Sequence, residues 1–150
     1  MQQVLAVVTI VVTGMLVGVE FAVAVFINPI VDGLPHNGGL TARAAGGRLL
    51  GRVMPFWYIG ALLLSAAWAA VAWGGAGSAL VVTAAGLLVL SVVLSVALLV
   101  PINDRAKHWT PETAPADWRE QLGAWDRLHY LRVAVIVASF VLLAVALARG

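Results

Sequence analysis

Glu20, His129 and Arg132 are a carboxylate, an imidazole and a guanidinium set inside long apolar runs, "VVTGMLVGVEFAVAVFIN" (11–28) and "HYLRVAVIVASFVLLAVALA" (129–148). Together these groups can take up a proton, hold an anion and fix one another in place. A carboxylate in such surroundings is expensive, so Glu20 is expected to face a bundle interior with a cationic partner or to stay protonated. Trp125, His129 and Arg132 follow i, i+4, i+7 spacing and share one helix face.

Four runs are apolar enough to span a bilayer, which takes about 20 residues: roughly 4–27, 55–73, 79–100 and 129–148. The chain is 62% hydrophobic and only 11% charged, with a mean hydropathy of +0.99. A soluble domain carries about 25% charged residues, so lipid is the expected solvent for most of these side chains. The expected fold is all-α, one integral membrane antiparallel four-helix bundle, since nothing alternates as barrel strands do. "AVA" at 22–24 resembles a signal-peptide cleavage site, but "MQQ" lacks a basic side chain and the run that follows is too long. The absence of cysteine excludes disulfides and thiolate metal sites, and a scattered net charge of +2 argues against nucleic acid.

Arg43, Arg48 and Arg52 lie between the first two spans, and Arg105, Lys107, Arg119 and Arg127 between the last two. "GGAGS" (74–78) and the N-terminus have no basic residue, and the C-terminal tail has Arg149. The positive-inside rule then places both long loops in the cytoplasm and both termini outside. Asn28-Pro29 predicts a helix end near Asn28. "LTARAAGGRLLGRV" (40–53) reads as a short interfacial helix or as an extension of the second span. "TPETAPAD" reads as a surface turn, with Thr110 or Thr113 available as a cap. Residues 117–132 read as an amphipathic lead-in to the fourth span. Gly14 and Gly18, like Ser91 and Ser95, suit close helix packing.

At 1.5 Å per residue, Glu20 lies about 12 Å from Asn28 and Arg132 about 9 Å from Asp126. The two reach similar depth from the same side, with His129 a turn nearer the loops, and form the expected ion pair. Asn28 and Asn103 gather at the same edge. A purely structural role, fixing helix register and anchoring the span edges, also suits these residues. No resident cofactor is expected. Glu20 and His129 are the two groups that a single metal or a haem would use. His36 and His108 are loop residues, and no H-x-x-x-H or E-x-x-H pair is present.

"FINPIVDGLP" after the first span, "LVPINDRAKHW" after the third and "WDRLHYLRVAV" entering the fourth resemble the anthrone-oxygenase-like family of small four-helix membrane proteins. The matching pieces are Asn28-Pro29, Pro101 with Asn103 and Arg105, Trp125, His129 and Arg132; Glu20 stands out by burial alone. The resemblance implies oxidation of a lipophilic anthrone- or quinone-like aromatic with O2. Such chemistry needs a base near neutral pKa, a cation for the enolate oxygen and an apolar slot. His129 suits the first role, Arg132, held by Glu20, or Arg105 the second, and Trp125 with Trp57 or Tyr58 a stacking surface. The site is expected near the cytoplasmic side of a bacterial inner or plasma membrane, with lipid-side access for a small lipophilic substrate. The rival is a non-catalytic bundle, either a partner subunit or a carrier of a lipophilic molecule, and a homo-oligomer fits both.

Overall fold

The computed structural model of the chain describes residues 1–149. Four long helices, α1 (Gln2–Asp32), α2 (Gly38–Val71), α3 (Ser78–Ala106) and α4 (Trp118–Arg149), are each long and apolar enough to cross a membrane. No strand occurs among the described residues. Each helix packs on its neighbours in sequence and α1 closes on α4, which makes an antiparallel four-helix bundle. The tight α2–α3 turn uses Gly74 and Gly77 at φ 78° and 81°, backbone angles that glycine adopts without strain.

The helices outrun the apolar spans. Residues 40–53 extend α2 rather than forming a separate interfacial helix, and Pro55 lies inside α2. The lead-in from Trp118 is continuous with the fourth span. Thr113 does not cap that helix; its hydroxyl oxygen accepts the Thr110 N–H within the loop at 2.9 Å.

The expected break near Asn28 is corrected, because α1 runs on to Asp32 through a π-helical turn at Val23–Ile27. A second π turn, Ser95–Leu99, precedes Pro101 in α3. A proline has no N–H, and its ring clashes with the carbonyl four residues back. Each π turn contains that residue, Val25 or Ala97, so widening the turn lets the helix pass its proline. One carbonyl is left over in α1. The Asn28 N–H bonds Val23 O, Pro29 has nothing to donate, and the Tyr130 hydroxyl on α4 supplies the missing donor to Ala24 O at 2.8 Å.

The interior is stratified. Near the short turn, Ala6, Trp68, Val81, Ala84 and Leu143 form one apolar cluster. Leu16, Met54, Tyr58, Leu88 and Ile136 form the next. Beyond it, toward the long loops, the buried side chains become polar: Glu20, Asn28, His129 and Arg132. Large apolar residues such as Val4, Phe56, Leu63 and Val96 point outward, as a lipid-facing surface requires. Only half of the G-x-x-x-G pair packs closely: a Cβ on Gly14 would lie 3.0 Å from the Phe140 ring, whereas Gly18 faces open space.

Candidate functional site

α1 and α4 run antiparallel, which sets Glu20 opposite Arg132. Arg132 Nη2 donates to Glu20 Oε2 at 2.6 Å and to His129 Nδ1 at 3.0 Å. Its Nη1 donates to Ser95 Oγ at 3.0 Å, and the guanidinium lies 5.3 Å over the Tyr58 ring. A guanidinium can only donate, so Nδ1 of His129 is an acceptor and the ring proton sits on Nε2. That Nε2–H donates to the Glu20 backbone carbonyl at 3.2 Å. His129 Nδ1 and Glu20 Oε2, 3.3 Å apart, are therefore two acceptors sharing one donor rather than an ion pair. Both imidazole nitrogens are occupied, while Arg132 holds Glu20 by Oε2 alone and leaves Oε1 outside that contact. Trp125 stacks on His129, with ring centroids 4.6 Å apart and planes 25° apart.

A second cluster closes the bundle one layer nearer the loops. Arg43 on α2 donates to Asp32 on α1 at 2.9 and 2.6 Å and to Asp126 on α4 at 2.8 and 2.6 Å. Asp126 also accepts the Asn28 amide at 2.8 Å. Sequence reasoning missed Arg43 as a site residue and missed Ser95 as the anchor of Arg132. The signal for Arg43 was there: it precedes Gly47, Leu50 and Met54 by four, seven and eleven residues, the period of one helix face.

Between the two clusters lies a cavity of about 150 Å³, far more than the 10–15 Å³ one water occupies. Glu20, Asn28, Asn103, Trp125, His129 and Arg132 all line it, together with Arg43 and apolar side chains including Leu50, Met54 and Leu99. Glycines bring α2 and α3 together along it. A Cβ on Gly47 would fall 2.7 Å from Asn103 Oδ1, and the Asn103 amide reaches Gly47 O at 3.4 Å.

Three expected site residues lie off the cavity wall. Arg105 is exposed on the loop side, beside His108 and Trp109. Trp57 donates its Nε1–H to Val12 O at 3.1 Å, joining α2 to α1. Tyr58 lies under the Arg132 guanidinium, and its buried hydroxyl sits beside the Glu20 carboxylate, the one acceptor near it. A metal or haem iron at His129 and Glu20 does not fit this arrangement. Both histidine nitrogens are engaged, the Arg132 cation already holds the carboxylate, and no group of three potential ligands gathers among the described residues.

The family model described as anthrone oxygenase matches residues 48–142. The match takes in Asn103, Trp125, His129 and Arg132 but stops short of α1, so Glu20 and Asn28 lie outside it. Neither a curated protein nor a solved structure matches the chain.

Proposed function

The chain belongs to the anthrone oxygenase family, and we propose that it oxidises a lipophilic, C–H-acidic aromatic of the anthrone type with O2 in this cavity. Overall, one substrate methylene and one dioxygen become one ketone carbonyl and one water. One oxygen atom becomes the new carbonyl, the other leaves as water, and both methylene C–H bonds break. The difficult step is loss of the first proton, because the resulting enolate is electron-rich enough to react with oxygen.

The observation that carries this reading is a carboxylate that a buried guanidinium holds by one oxygen only, both groups on the wall of a largely apolar cavity. Glu20 Oε1 accepts the methylene proton. Arg132, with a buried Nε–H that has no partner, lies where negative charge grows on the substrate oxygen, and such placed donors lower barriers most where water is excluded. His129, expected from the sequence as the base, has no free lone pair; it holds the Arg132 guanidinium by Nδ1 and α1 by Nε2. Trp125, stacked on His129, offers a flat wall for an aromatic substrate.

The test is oxygen uptake by membranes supplied with anthrone. Glu20→Gln is expected to lower turnover by about 10²–10⁴-fold, the usual worth of a positioned base. Wild-type uptake no greater than that of empty membranes would refute the oxygenase reading. Full activity in Glu20→Gln, with activity lost in His129→Gln, would return the base to His129. Anthraquinone binding without turnover would favour the carrier.

A further inference from the structure

Most of the cavity wall is made of buried or half-buried residues. Arg43 and its two aspartates stand at the loop end. Val23, Asn28, Leu99, Ala106 and Leu122, on α1, α3 and α4, are each at most 7% exposed. Among the described lining residues only Gly51 and Val100 are exposed. They belong to facing helices, α2 and α3. A Cβ on Gly51 would lie 3.3 Å from Asn103 Nδ2, and Asn103 stands one turn beyond Val100, so the two form the lips of one seam. The outward neighbours are Val53, Phe56, Val96 and Leu98, all large and exposed, whereas exposed Arg48 and Asp104 lie on the loop side of the seam and exposed Arg52 adjoins Gly51 itself.

We propose that the cavity is loaded from the bilayer through the α2–α3 seam between Gly51 and Val100, with Asn103 as its gate. The molecule admitted is flat and apolar with a polar edge, because the lip facing the hydrocarbon is aliphatic and aromatic while the opposite lip is charged. Glycine at 51 leaves the gap open, and Asn103, held to Gly47 O only by a long 3.4 Å hydrogen bond, can swing aside without breaking an ion pair. Where the substrate is concerned this rests on the oxygenase reading; the route itself does not.

The absence of cysteine from the chain allows a test independent of substrate. Leu50→Cys places a thiol on the cavity wall of the protein in lipid nanodiscs, and N-phenylmaleimide, which partitions into lipid, is compared with a sulfonated, lipid-insoluble maleimide. The lipid-soluble reagent is expected to label position 50 faster. Adding Gly51→Trp or, from the other lip, Val100→Trp should slow it by about tenfold or more, as closing a gate does. Gly60→Trp, on the same helix with open space around it, should change nothing. Equal labelling with and without both seam substitutions, faster labelling by the sulfonated reagent, or no labelling by either would overturn the proposal. If labelling obeys the seam and anthrone is still not oxidised, the oxygenase reading fails and the route stands.

Discussion

Removing either member of the Glu20–Arg132 pair should destabilise the bundle far more than removing both. Arg132→Met deletes the 2.6 Å contact to Glu20, the 3.0 Å contact to His129 and the 3.0 Å contact to Ser95, and leaves a carboxylate on a residue 3% exposed. Glu20→Gln leaves a buried guanidinium with only neutral acceptors. Breaking a buried pair from one side costs about 3–5 kcal/mol, while replacing both charges by groups of similar volume is often neutral or better. At about 2–4 °C per kcal/mol for a chain of this size, each single variant should melt roughly 6–20 °C below wild type. Glu20→Gln/Arg132→Met should recover most of that loss. The assay is thermal unfolding in one detergent at fixed pH for the four proteins of the cycle, read by circular dichroism. Additive losses would mean that the two groups do not interact and would remove the foundation of the site described above.

The π turn in α1 makes a second double-mutant case. Tyr130→Phe should cost about 1–3 kcal/mol by leaving Ala24 O unpaired, and less in a Pro29→Ala background, where a new N–H is available; equal losses in both backgrounds would refute the account. Gly47→Ala should destabilise by about 1–3 kcal/mol through overpacking against Asn103, a loss relieved by Asn103→Ser; melting temperatures of the three variants decide it. With seven loop Lys and Arg residues on one side, a membrane-impermeant maleimide on intact cells should reach a cysteine at position 76 and miss those at 38 and 113. Labelling of either loop position would reverse the topology.

Much of the bundle was legible from composition and periodicity. Four apolar runs in a chain with little charge leave few folds, because backbone polar groups in lipid must be paired within the segment. Glu20 and Arg132 could be paired from sequence because a charge deep in an apolar run needs a partner, and depth follows from residue count. The reading failed where local rules meet tertiary contacts. Asn28-Pro29 looks like a helix stop, yet a π turn and a hydroxyl from another helix carry α1 past it. Arg105 looked available for the site because its motif includes Asn103, but on that turn of α3 Asn103 and Ala106 face the cavity and Arg105 is exposed on the loop side.

The amino-acid sequence by itself determined the helices, their count and the identity of the buried charges, since each depends on hydrophobicity and spacing along one segment. Only the tertiary structure decided which atoms of those charges remain free. Considered one at a time, His129 reads as the base and Glu20 as the carboxylate that holds Arg132. Hydrogen bonds from Arg132 and to the Glu20 carbonyl, across 109 residues of sequence, occupy the imidazole, while Arg132 holds only one of the two carboxylate oxygens. The same holds for the Arg43 clamp and the seam at Gly51. Each is made by groups from different helices, and their meeting depends on helix rotation and on how closely glycine lets two backbones approach.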